Sequence, residues 1–324
     1  MLDIRQILTK RKKSPSINYD LIYEWEDVLS KELILPLVDE NQMLYNRMVR
    51  LVPIIPRLMQ TNTTSLVFDI YPTLINRGNN KPNIIPEIVD FYHKEPSMLK
   101  KFYSSYANNR VVLISSMEVF EFLKRQKCPL NIRHWGLSIS DKYQLNDALK
   151  TTKNIDLILM GRPSKVLQAW AEEYAKKHPN FVYGYRINKD GHWLCQSSKG
   201  DIVGSLDARD GYMETMRRAK CGLYNTPGMD GGEERTHGFN QVTPRFLEYL
   251  VSGCHVISRY PKNADVEYYE LDKMTNNVNS YEEFERALDY ACNNPIDVDK
   301  YHTYLNKHYT STRAKELKDI LKSI

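Results

Sequence analysis

A cation and a carboxylate three residues apart, Arg245 and Glu248, follow the pair Thr243-Pro244. In a helix that spacing sets both on one side, while Phe246, Leu247, Leu250 and Val251 are placed to pack elsewhere. Thr243 is the expected N-cap and Pro244 the first helical residue, where a missing N–H costs nothing. The positive pole of such a helix, with amide donors open and the dipole behind them, suits a phosphate. A cation and a carboxylate then point together beside a phosphate-sized gap.

The elements that must position this pair are legible on both sides of it. Residues 221–258 read as strand, polar loop, capped helix and strand in succession. Before them, 155–160 (IDLILM) is a buried strand with Gly161 and Arg162 as its tight exit, 164–178 an amphipathic helix and 181–186 a second strand. Residues 188–210 read as a hairpin and loop, and 211–219 as a short helix. In the first block, helical spacing runs over 17–60, including the series 44–52, and again over 85–106. Apolar runs predict strands at 66–70, from 110 and at 132–139, with a helix at 119–125. Strand, helix, strand is the parallel crossover pattern. The polar segment 140–153 is the expected junction. The prediction is therefore an α/β chain with a first domain over 1–150, a second over 151–300, and a helix at 301–324 that packs back on the first.

Composition narrows the function. The chain has 324 residues, 42% of them hydrophobic, a net charge of +5 and five cysteines. None of these forms a C-x-x-C pair, so they predict buried thiols in a reducing compartment rather than a disulfide framework or zinc site. No basic-then-apolar leader and no apolar run of about 20 residues is present, which predicts a cytoplasmic protein. The run Lys10–Lys13 beside Ser14 and Pro15 reads as a solvated arm or a peripheral contact with anionic membrane. The 22 tyrosines form no ordered stripe with basic residues, so nucleic acid is not an expected partner. No P-loop, complete dinucleotide fingerprint or serine elbow occurs. Asp297-Val298-Asp299 is D-x-D in form but sits in a polar connection, and no metal is assigned to it.

The order of the second block, above all TPRFLEYLVSGCHVIS, resembles the nucleotide-sugar domain of GT-B glycosyltransferases of the bacterial group-1, family 4-like type. ISSMEVFEFLKRQKCPLNIRHWG and SLVFDIYP are similar to strands of that family's acceptor domain; its first Rossmann unit has no recognisable counterpart, which implies a reduced, helix-rich start. The resemblance implies two Rossmann-like domains with parallel sheets facing across a cleft. It implies a hexosyltransferase moving sugar from a nucleotide-sugar donor to a glycan hydroxyl, with a lipid-linked bacterial surface polysaccharide as acceptor and without a required metal or other cofactor.

Carried to this chain, the resemblance gives Glu248 both ribose hydroxyls, and a carboxylate can accept two at once. Arg245, with Arg162 and Lys165, would neutralise the diphosphate leaving group, helped by the amides of Val242 and Thr243. Tyr183 and Tyr185 would line the base. Retaining relatives carry a second Glu eight positions before the ribose Glu, where this chain has Asn240; Glu234 and His237 are then the candidates for contact with the donor sugar. Asp69 is the candidate general base, with His93 and His134 as further acid/base groups of the first block. A nucleotide-sugar-binding scaffold without chemistry and a GT-B-fold sugar epimerase remain alternatives.

Overall fold

The computed structural model describes residues 3–12, 17–39, 63–74, 79–162 and 164–324. The series expected over 44–52, and Lys13, Ser14 and Pro15, lie outside them. Contacts divide the chain into Met1–Leu137 with Thr310–Ile324, and Ser138–Tyr309. The change of unit thus precedes position 150, and the chain rejoins the first unit from Thr310.

In the first unit β1 (Gln6–Thr9), β2 (Leu37–Asp39), β3 (Ser65–Asp69), β4 (Ile84–Ile88), β5 (Val112–Ile114) and β6 (Ile132–His134) form one sheet, ordered β2-β1-β3-β4-β5-β6. All its pairs are parallel. Its front carries two strands, β1 and β2, where helices and a loose arm were expected. Residues 10–12 of the basic run follow β1 directly and are pinned by acids: Lys10 Nζ meets Asp69 Oδ1 at 2.5 Å, Arg11 Nη2 meets Asp27 Oδ1 at 2.6 Å, and Lys12 pairs with Asp39. For residues 10–12 this pairing replaces the expected solvated arm. The helix expected from 85 begins only at Pro96 and ends at Ser105, because 84–88 is β4.

Strand order reverses between β1 and β3, the topological switch point of this sheet, and the Lys10–Asp69 pair spans it. Phe68 on β3 packs at 6.0 Å on both Trp25, from the helix Ile17–Leu33, and Trp135. The returning helix Thr310–Lys322 is held here: Trp135 Nε1 donates to the Arg313 carbonyl at 2.9 Å, and Arg313 Nε to the Leu137 carbonyl at 3.2 Å. Burial, with Arg313 beside it, pushes His134 down to about 4, and its Nε2 lies 3.1 Å from the Ser115 carbonyl. A neutral imidazole in that setting holds β5 to β6 rather than shuttling protons.

Glu26, on the inner side of the Ile17–Leu33 helix, is 1% exposed. Burial raises it to about 7, against the hydrogen bond with Thr9 and the Arg11 charge, which lower it. A folded value above the unfolded one means that the folded chain holds the extra proton. The associated stability is complete below about 4.5 and is lost as pH rises through 7. Glu26→Gln is therefore expected to flatten that slope and to exceed the wild type at pH 8 by up to about 3 kcal/mol. Thermal unfolding of both proteins between pH 4.5 and 8 checks it; parallel curves would contradict it.

The second unit holds β7 (Ile155–Leu159), β8 (Tyr183–Lys189), β9 (His192–Ser197), β10 (Ile202–Ser205), β11 (Ala219–Asn225), β12 (His255–Arg259) and β13 (Asn276–Asn277), ordered β10-β9-β8-β7-β11-β12-β13. β8, β9 and β10 are joined antiparallel; the remaining pairs are parallel. One face buries Leu157, Leu159, Cys221, Leu223 and Ile257 against Leu167, Ala171 and Tyr174 of the helix Lys165–Lys177 and Phe284, Leu288 and Ala291 of the helix Tyr281–Asn293. Each such aliphatic side chain contributes roughly 1.5–3 kcal/mol. The order reverses between β7 and β11, so Gly161 and Thr226, at their carboxyl ends, flank the switch point. All five cysteines are free thiols, with Cys195, Cys221 and Cys254 buried. Asp297 caps the helix Val298–Leu305 by accepting from Lys300 N at 3.0 Å, a structural use for the D-x-D carboxylate.

Candidate functional site: the Arg245–Glu248 helix at the second switch point

Side chains alternate along a strand, so Ile158, Gly184 and Gly222, in register across β7, β8 and β11, share the face opposite the Leu157 core. On that face lies the helix Arg245–Val251. Gly222 admits it: a Cβ there would stand 2.3 Å from the Tyr249 ring. The Tyr249 hydroxyl accepts from Met160 N at 3.3 Å, which fastens the helix to the end of β7.

The helix begins at Arg245 after Pro244, one step later than expected, and Thr243 makes no side-chain cap. Instead Thr243 N donates to the Tyr224 hydroxyl at 3.0 Å, and Val242 N to Asp265 Oδ2 at 2.9 Å. Burial pushes Tyr224 up to about 12, which keeps that hydroxyl a neutral acceptor. The two amides assigned to a phosphate are thus occupied within the protein, and that assignment is corrected.

What remains at the switch point is cationic. The Arg245 guanidinium lies on Gly161, where an added Cβ would be 2.0 Å from Nη2 and 2.4 Å from Cζ. Gly161 has φ +68°, a left-handed conformation that glycine adopts without the Cβ penalty. Arg245 Nε is buried with no hydrogen-bond partner. Burial acts against the Arg245 charge, and Tyr212, Tyr249 and Glu248 outweigh it, so its pKa is raised. Arg162 and Lys165 stand exposed just beyond Gly161. Ser164 caps the Lys165–Lys177 helix and also bonds Asp230, which takes Arg259 Nε at 2.9 Å. This ties the loop after β11 to β7 and β12.

Glu248, one turn after Arg245, is 4% exposed. Its Oε1 meets Arg209 Nη1 at 2.6 Å and its Oε2 accepts from the Tyr212 hydroxyl at 3.1 Å. Sequence reasoning missed both partners, although Arg209 and Tyr212 share the three-residue spacing that marked Arg245 and Glu248. They open the helix Arg209–Arg217, whose first two residues, Arg209 and Asp210, were read as loop.

The other expected residues fall elsewhere. Tyr183 and Tyr185 pack on the Leu157 core, on the opposite face from Glu248, so they do not line this site. Asn240 is buried: it accepts from Thr226 Oγ1 at 2.8 Å through its side chain and from Asn263 Nδ2 at 3.0 Å through its carbonyl, which closes the loop after β11. Glu234 and His237 lie exposed on that loop, His237 with φ +50°. In the first unit Asp69, 3% exposed, takes Lys10, Asn79 Nδ2 at 3.2 Å and the Tyr106 hydroxyl at 3.1 Å. A carboxylate so fully occupied is a structural anchor, which corrects its assignment as a base.

No family model and no curated protein sequence matches the chain. Solved structures do. A glycosyltransferase from Rickettsia africae ESF-5 is 11% identical with a TM-score of 0.53, over 99% of this chain and 98% of that one. AviGT4, a glycosyltransferase involved in avilamycin A biosynthesis, is 12% identical with a TM-score of 0.53, over 99% and 97%. S. aureus TarM, in complex with fondaparinux, α-GlcNAc-glycerol and UDP, is 11% identical with a TM-score of 0.55, over 82% of this chain and 58% of that one. At these identities the likeness is one of fold: the chain has the α/β GT-B fold, with a Rossmann-like, parallel-dominated sheet in each unit.

Proposed function

We propose that the chain is a glycosyltransferase that moves a sugar from a nucleotide-sugar donor to a hydroxyl of a glycan acceptor. The observation that carries this reading is the buried Glu248 carboxylate one turn after an Arg245 guanidinium that lies on Gly161, at the switch point of a parallel sheet. Glu248 would accept the ribose hydroxyls, and Arg245 would face the diphosphate with Arg162 and Lys165 beside it. Fixed cations there stabilise the charge that develops on the leaving diphosphate, a role they would fill without a required metal. TarM, which shares the fold, was crystallised with UDP, and a uridine donor is the first to test here. A lipid-linked surface polysaccharide is the proposed acceptor and the cytoplasm the proposed compartment. Among the described residues no helix is long and apolar enough to cross a membrane.

Calorimetry with UDP, GDP, ADP and CMP, followed by donor-consumption assays, tests the reading. One nucleoside diphosphate should bind, and Glu248→Ala should weaken it by about 10- to 100-fold, the loss expected when hydrogen bonds to a charged group disappear. Unchanged affinity in a folded Glu248→Ala protein would defeat the assignment. Binding without donor consumption on any acceptor would leave a nucleotide-binding protein rather than a transferase.

A further inference from the structure

Arg209 and Tyr212, three residues apart, share one side of the Arg209–Arg217 helix and approach Glu248 together. Each engages a different carboxylate oxygen, Arg209 Nη1 on Oε1 at 2.6 Å and the Tyr212 hydroxyl on Oε2 at 3.1 Å. The Arg209 guanidinium lies 5.7 Å from the Tyr143 ring centroid and 5.5 Å from that of Tyr212, a cationic group set over two aromatic rings. The helix itself is seated closely. A Cβ on Gly204 of β10 would be 1.9 Å from Thr215 Oγ1, and one on Gly211 would be 2.6 Å from the Ser205 carbonyl oxygen. The arm β8-β9-β10 therefore fixes where Arg209 and Tyr212 stand. Tyr212 and Glu248 both favour the charge on Arg245.

An ionised carboxylate has about four lone-pair sites. The Arg209 and Tyr212 donors take one such site on each oxygen and hold the carboxylate between them, which leaves acceptor capacity on both oxygens. Two adjacent hydroxyls of one ring are the complementary group. A carboxylate held by only one of these donors would turn toward whichever hydroxyl reached it first.

We propose that Arg209 and Tyr212 are positioning residues that hold the plane of Glu248, so that both its oxygens meet the 2′- and 3′-hydroxyls of one ribose and the site prefers ribo- to deoxyribonucleotides. This rests on the donor-site reading of Glu248. The probes are whichever of UDP, GDP or ADP binds the wild type, with its 2′-deoxy and 2′,3′-dideoxy forms, measured by calorimetry. The wild type should bind the ribonucleotide about tenfold or more tightly than the 2′-deoxy form. Tyr212→Phe should cut that ratio to about twofold and leave the dideoxy affinity unchanged; Arg209→Met should do the same, and Arg209→Lys should restore part of the preference. A merely structural role would weaken all three nucleotides by one factor and keep the wild-type ratio, and that result would overturn the inference while leaving the role of Glu248 intact. A wild type that binds the ribo and dideoxy forms equally would defeat the reading of Glu248 itself, and this inference with it. If Arg209→Met does not fold, Tyr212→Phe, which removes one oxygen atom, decides the matter alone.

Discussion

Asp69→Ala is expected to destabilise the first unit by about 3–5 kcal/mol, the loss found when one member of a buried ion pair is removed. Asp69 is 3% exposed, and its partner Lys10 has a side chain only 18% exposed. Removing the carboxylate strands that ammonium in a site built for a pair, and it also takes the acceptor from Asn79 and the Tyr106 hydroxyl. Tyr106 in turn accepts from Thr73 N at 2.9 Å, so the damage reaches the chain that leaves β3. Chemical unfolding at neutral pH measures the effect. Replacing both charges, as in Lys10→Met with Asp69→Leu, should recover much of the loss, because a buried pair exchanged for apolar groups is often close to neutral. The contrast with catalysis is sharp: a general base would tolerate Asp69→Asn in folding and lose turnover. A stable, inactive Asp69→Asn protein would therefore return Asp69 to the reaction.

The same residue shows what the sequence carried. Asp69 was visible as a carboxylate at the end of an apolar strand, and that strand exists; its partner was hidden because Lys10 closes a strand of only four residues, Gln6–Thr9, too short for a periodic signal. β4 was lost for a different reason. Its sequence IIPEI places Pro86 and Glu87 in the middle of a sheet, against every local preference for a central strand. Glu87 is 2% exposed, burial alone raises its pKa well above the usual carboxylate range, and its Oε2 has no hydrogen-bond partner. Only tertiary enclosure makes that segment a strand. The second unit was more legible because its buried strands are continuous apolar runs bounded by glycine or polar residues, as IDLILM before Gly161 is.

Within the site, spacing along one helix was readable and contact between elements was not. Arg245 and Glu248 do share a side, since helical geometry fixes that from the sequence. Whether the Thr243 amide was open depended on Tyr224, 19 positions earlier and on another element. Likewise Tyr183 and Tyr185 were assigned to the base from their place in the chain. Strand alternation, which sends them with Leu157 and Leu159 into the core, could have excluded them once the register of β8 against β7 was known.

Gly161→Ala is expected to cost the protein its diphosphate affinity while leaving it folded. At φ +68° a Cβ adds about 1–2 kcal/mol of backbone strain, a loss that shifts the unfolding midpoint by a few degrees in a unit of this size. The larger effect is local. The new Cβ would stand 2.0 Å from Arg245 Nη2, so the guanidinium must leave its seat over the end of β7. A charge-assisted hydrogen bond contributes about 1.5–3 kcal/mol, so losing the Arg245 contact should weaken a nucleoside diphosphate about 10- to 100-fold. Arg245→Ala should produce a loss of similar size. Because both changes remove one interaction, the double variant should bind little worse than either single one, a coupling that calorimetry on the four proteins measures directly. Additive losses would show instead that Gly161 serves the ligand through its own backbone, and that the guanidinium over it does not touch the phosphates.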